Sequence, residues 1–135
     1  MIEHANSLLV YQCIQAVQRG DSETLRALWA DDIVWHVQGA SPWHGPLRGP
    51  DAILEYLAQT GEIGSGYDTS IDDVLISHDR AAILCHVKAE LDGRLLETDS
   101  VLICRIEHRR IQEVVSTPLA PERVAEFWQQ AEPGR

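Results

Sequence analysis

The sequence predicts an α+β fold, with helices packed on one face of a curved, mostly antiparallel sheet, from three observations. Apolar residues recur at helical spacing in the N-terminal part, the period changes to two from Tyr67 onward, and turn residues punctuate the second half at hairpin spacing. Helices come first and strands later, which is the order of an α+β domain rather than of alternating βαβ units. At 135 residues the chain fits one domain, 1–135, long enough to bury an apolar core without disulfide or metal staples.

The elements follow in order. Leu9, Val10, Cys13, Ile14, Ala16 and Val17 form the apolar stripe of a first helix, which Gly20 is suited to end. Asp21 caps a second helix, whose stripe is Leu25, Leu28 and Trp29. Asp31 and Asp32 break it, and the β-branched and aromatic run Ile33 to Val37 is the first strand. Gly39, Pro42, Gly45, Pro46 and Gly49 make the next segment a loop, and Pro50 opens a third helix carrying Ile53, Leu54 and Leu57. Residues 61–66 read as a flexible Gly-rich link. Four consecutive antiparallel strands then run Tyr67 to Ser77, Ala81 to Leu91, Leu95 to Ile106 and Arg110 to Pro118. His78-Asp79 and Asp92-Gly93 join the first three of them, the latter a type I′ signal. Pro121 opens a last helix with Val124, Phe127 and Trp128 on its apolar side.

Composition narrows the function. A formal charge of -10 with scattered basic residues disfavours a nucleic-acid partner, because phosphates need clustered Lys and Arg. No apolar run approaches the roughly 20 residues of a membrane span, and no secretory leader is visible, so the expected compartment is the cytoplasm. Cys13, Cys85 and Cys104 are widely spaced and contain no CxxC pair, which fits a reduced setting without a zinc or redox motif.

An ordered set of short motifs resembles the nuclear-transport-factor-2-like superfamily, and within it the SnoaL-like and ketosteroid-isomerase-like members. The pattern "GDxxxLxxLxADDxxW" is met by Gly20-Asp21, Leu25, Leu28, Ala30-Asp31-Asp32 and Trp35, and "G.xAIxxYL" by Gly49, Ala52-Ile53 and Tyr56-Leu57. The hairpin pattern "hxFRxxDGKIxE" is met by Leu102 to Glu113, with His108-Arg109 in place of the usual Asp-Gly turn. WHVQGASPWHG is similar to a version found in a SnoaL-like subgroup. The resemblance implies a cone-shaped, cystatin-like α+β roll with a one-mouthed pocket, pairing of two copies through the outer sheet face, and no metal or organic cofactor.

The same resemblance argues against the superfamily's known reactions. The isomerase's base and its two oxyanion donors fall on Val37, Cys13 and Leu102; valine takes no proton and leucine donates none. The acid-base aspartate of the polyketide cyclases also falls on Leu102, and an aspartate of limonene epoxide hydrolase falls on Ser116.

The family register with strand alternation sketches a ligand-binding pocket from Cys13, Trp35, Val37, Cys85, Val87, Thr98, Ser100, Leu102, Val114 and Ser116, with Tyr56 and Trp43 contributing aromatic surface. A one-residue slip inverts every strand assignment. The candidate proton carriers are His36 and His44. Strict alternation turns His36 outward, to a neighbouring strand or a dimer surface, whereas a bulge turns it to the mouth as a general base. His44 lies in the Pro-Gly-rich loop near the expected mouth, and solvation is its ordinary fate. Trp43 beside it reads as a pocket lid or a dimer contact. His86 alternates outward, and a shifted register would bring Asp99 inward beside it. The three cysteines map to the interior, where buried small hydrophobes are a better reading than a thiolate nucleophile, since no basic residue faces them. The expected function is a pocket protein for a small apolar, cyclic or polyketide-like molecule. Either it catalyses isomerase, cyclase or dehydratase chemistry, with Ser100, Thr98 or Ser116 orienting a carbonyl, or it is a non-catalytic binding or dimerisation module.

Overall fold

The computed structural model describes residues 2–37, 45–60, 67–91 and 93–131. Helix α1 (Ile2–Arg19) ends at Gly20, whose φ of 68° is the left-handed conformation a residue with a Cβ resists. Asp21 then caps α2 (Ser22–Leu28), accepting the Thr24 N–H at 3.2 Å and the Thr24 hydroxyl at 2.6 Å. These bonds to the ionised form hold the Asp21 carboxyl below its usual range.

Trp29 does not extend α2. It adopts the extended conformation, φ -93° and ψ 146°, and begins β1 (Trp29–Val37) by pairing in parallel with Ile111. The helical stripe continues into a residue whose large ring packs better from the sheet. Asp31 and Asp32 bulge out to solvent, and Ile33 returns fully buried. A second difference lies at residues 46–48. Pro46–Arg48, expected as loop, forms a short strand β2 on the free edge of β1, with Leu47 opposite Trp35. Pro46 stands at its first position, where a missing N–H costs no ladder bond. Helix α3 (Pro50–Thr60) buries Ile53, Tyr56, Leu57 and Thr60, the i, i+3, i+4, i+7 stripe of one face.

Strands β3 (Tyr67–Ile76), β4 (Arg80–Leu91), β5 (Arg94–Glu107) and β6 (Arg110–Pro118) complete a sheet of order β2-β1-β6-β5-β4-β3, antiparallel except where β1 meets β6. Two bulges bend it. Asp72 is the extra residue on β3 between the pairs Ile71–Cys85 and Asp73–Leu84, so the inward set changes from Thr69 and Ile71 to Val74 and Ile76. Gln112 does the same on β6, between inward Ile111 and Val114. The β5–β6 turn keeps type I′ geometry without glycine: His108 and Arg109 have φ of 53° and 62°, at a cost of about 1 kcal/mol each.

The helices cover the inner sheet face at its α1 end, where the Asn6 side chain ties α1 to the β3–β4 turn through Ser77 and His78 carbonyls at 3.1 and 3.0 Å. Helix α4 (Pro121–Ala131) covers the other end, its Phe127 and Val124 packed on Ala89 and Leu96 as a separate apolar cluster. No helix among the described residues is long and apolar enough to cross a membrane.

Candidate functional site

Between helices and sheet lies a cavity of about 410 Å³, within the range of small-molecule sites, roughly 300–1,000 Å³. Its helical wall is Val10, Cys13, Ile14 and Val17 of α1, with Leu25 of α2 and Leu57 of α3. The sheet supplies Trp29 and Trp35 from β1, Ile83 from β4, Leu102 and Cys104 from β5, and Ile111 and Val114 from β6. Exposed Gln18 and Asp68, together with Thr69, mark the mouth. Asp68 has strand parity opposite to Thr69 and stands across from Lys88 in the register, so its carboxylate belongs to the outer side. Every other described residue in the wall is uncharged.

Two thiols are the titratable groups of the interior wall. Burial pushes Cys13 up to about 12, with the neighbouring Cys104 adding to it, and burial alone pushes Cys104 to about 12. Both are therefore S–H groups at neutral pH and behave as small apolar surface with a weak donor. Among the described residues no group of three His, Cys, Asp or Glu side chains is placed to hold a metal.

Of the residues read from the sequence as pocket, Cys13, Trp35, Leu102 and Val114 line this cavity. Tyr56 is buried behind the wall, its ring 6.4 Å from that of Trp35, and Val37 packs half-buried on the same core. Cys85, Val87 and Thr98 are buried further along the inner face, where Ser100 and Ser116 are half-buried, and none of the five lines the cavity. Trp43 and His44 lie outside the described residues.

The described histidines of the sheet stand on its outer face. His36, opposite in parity to Trp35, sets its Nε2 2.8 Å from the Glu113 carboxylate, which Arg105 also approaches at 3.6 Å. Those partners, His36 first, hold the Glu113 carboxyl below its usual range. His86 faces Asp99 directly across β4–β5, with Nδ1 at 2.8 Å from it and Nε2 at 2.9 Å from Glu97. Hydrogen bonds to the two carboxylates raise its pKa, Asp99 contributing most. Neither imidazole lines the cavity.

Sequence reasoning passed over Gln18, Asp68 and Thr69 at the mouth and Ile71 in the wall. The adjacent Asp72-Asp73 inside an alternating strand is the signal for the bulge that turns Thr69 and Ile71 inward.

The family model described as SnoaL-like domain matches residues 10–114. Comparison with curated proteins finds no match. Among solved structures, Bal32a from a soil-derived mobile gene cassette is similar over 95% of this chain and 99% of its own, with 25% identity and a TM-score of 0.88. A protein with cystatin-like fold from Xanthomonas campestris is 28% identical, covering 89% of this chain and 95% of that one, TM-score 0.79. A Mycobacterium tuberculosis protein in complex with estradiol-17β-hemisuccinate is 21% identical over 83% of this chain and 92% of that one, TM-score 0.69.

Proposed function

Because the chain belongs to the SnoaL-like domain family, with the curved α+β roll of the nuclear-transport-factor-2-like superfamily, we propose that its cavity binds a small, uncharged, mostly apolar molecule. The observation that carries this reading is the wall itself: apolar side chains and two protonated thiols, with Gln18, Asp68 and Thr69 confined to the mouth. A charged ligand loses its hydration there without gaining a partner, whereas a hydrocarbon ring gains roughly 25 cal/mol for each Å² it buries. The steroid ester held by the Mycobacterium tuberculosis neighbour supports a cyclic ligand.

Binding is favoured over acid-base chemistry because a thiol held near pKa 12 neither accepts nor delivers a proton readily at neutral pH. Two copies pair through the outer face in this reading, where Leu75 and Ile103 are 56% and 44% exposed; a monomer mass in sedimentation equilibrium contradicts that. The protein acts in the cytoplasm.

Titration with tetralin tests the binding. Saturable one-site binding is expected for the wild type and a loss of more than about tenfold for Leu102→Trp, whose ring occupies the cavity, equivalent to about 1.4 kcal/mol. Equal affinity for both proteins, or none for the wild type, overturns the reading. Proton exchange next to the carbonyl of 1-tetralone should stay at the buffer rate. Acceleration that disappears in His44→Ala instead supports the isomerase, cyclase or dehydratase alternative.

A further inference from the structure

The cavity has a closed end and an open end, and they differ in chemistry. Leu25, Trp29 and Ile111, which are 0%, 2% and 2% exposed, form its floor. At the mouth α1 supplies half-buried Val17 and exposed Gln18 from its last turn, and β3 supplies Asp68 and half-buried Thr69 from its first residues. Thr69 stands across from buried Val87 and shares its inward parity, so it enters the mouth from the sheet side while Gln18 enters from the helix side.

Neither the Gln18 amide nor the Thr69 hydroxyl has a hydrogen-bond partner among the described residues. Together they offer an amide N–H, an amide carbonyl and a hydroxyl to a group in the opening. Further in, the described lining residues carry no side-chain oxygen, so a hydroxyl carried to the floor loses its water and finds no side-chain oxygen to accept its proton. Charge narrows the choice again. Asp68, its carboxylate on the outer side of the rim, is the one ionised side chain among the described lining residues, and α1 brings its C-terminal, negative end to the same opening. Arg19, next to Gln18, and Lys88, across from Asp68, line no part of the cavity. An anionic head group therefore meets like charge at the mouth, whereas a neutral hydroxyl meets both a donor and an acceptor.

We propose that Gln18 and Thr69 form a head-group site at the mouth for one neutral hydroxyl, and that Asp68 selects against carboxylates there. The ligand is then a ring alcohol or phenol that enters ring first and leaves its oxygen at the edge of the water, rather than a plain hydrocarbon or an acid. This rests on the cavity being a ligand site, and it adds which group the ligand carries and which way round it lies.

Calorimetric titration of tetralin, 2-tetralol and tetralin-2-carboxylate tests it on the wild type, on Gln18→Met/Thr69→Val and on Asp68→Asn. Methionine and valine keep the shapes of the residues they replace, and all three positions lie at the rim, where the fold tolerates them. The ratio of alcohol to hydrocarbon affinity is expected to fall by about fivefold in the double variant, the loss of two partly solvated hydrogen bonds. The ratio of carboxylate to hydrocarbon affinity is expected to rise by about threefold in Asp68→Asn at low ionic strength, where screening is weakest. In the wild-type complex the carbinol proton of 2-tetralol should show nuclear Overhauser contacts to the Thr69 methyl and none to Ile111. An unchanged alcohol ratio, or carbinol contacts to Ile111, overturns the head-group site, and an unchanged carboxylate ratio overturns the selection by Asp68. In each of these cases tetralin binding leaves the cavity reading standing. Failure of all three compounds to bind the wild type overturns both.

Discussion

Trp29→Ala is expected to lower stability by about 3–5 kcal/mol, the cost of deleting a large buried aromatic ring. Trp29 is 2% exposed, ends α2, starts β1 opposite Ile111 and packs edge-on to Trp35 with centroids 6.3 Å apart. One side chain thus joins the helical layer to the one parallel strand pair among the described residues, and it borders the cavity. Domains are stable by roughly 5–15 kcal/mol, so the variant retains only part of its folded range. Urea unfolding checks this: the midpoint should fall sharply, and a change below about 1 kcal/mol contradicts the packing role.

Alkaline pH is expected to destabilise the protein well before its backbone chemistry suffers, through the two cavity thiols. Their folded pKa values are raised from 9.0 to about 12, so in this window the unfolded chain has lost protons that the folded one still holds. Stability from this source is complete below about pH 9 and falls as the pH rises toward 12, by about 1.4 kcal/mol per pH unit for each thiol. Urea midpoints between about pH 8 and about pH 10.5 measure the slope for wild type and Cys13→Ala/Cys104→Ala. The double variant starts less stable, because methyl groups fill less space than thiols, but above about pH 9.5 its alkaline slope should be shallower, by up to about 2–3 kcal/mol per pH unit. Parallel slopes contradict buried, protonated thiols.

Local chemistry made much of the fold legible. Gly20 and Asp21 mark one helix junction, Pro50 another, and the period-two run from Tyr67 names the hairpins. What escaped depends on partners distant in sequence. Trp29 continues a helical stripe, and only Ile111 across the sheet shows that the helix has ended. Pro46–Arg48 is a strand because β1 has a free edge, which its own residues cannot announce. The bulges at Asp72 and Gln112 shift inward parity in mid-strand, so a strict alternation reading loses Thr69 and Ile71.

The site was legible as a face and not as a volume. Alternation puts Cys85, Val87, Thr98, Ser100, Leu102 and Cys104 on one surface. That surface is divided in three dimensions: α1, α2 and α3 leave a cavity over Ile83, Leu102 and Cys104, while Phe127 of α4 seals Ala89 and Leu96. Where helices leave space depends on crossing geometry, which has no local signature. The outward imidazoles of His36 and His86 follow from the pleat, and their carboxylate partners Glu113, Asp99 and Glu97 come from neighbouring strands.

The most direct test of a ligand site inside the roll is an NMR measurement of nuclear Overhauser effects between bound tetralin and protein methyl groups. Ile83, Leu102 and Val114 face the cavity, while Ile103 and Val115, each one residue away from a lining residue, pair on the outer face. Contacts from tetralin to the first three, with none to the other two, are the predicted result. Contacts confined to Ile103 and Val115 would place the ligand on the outside of the sheet and contradict a binding cavity.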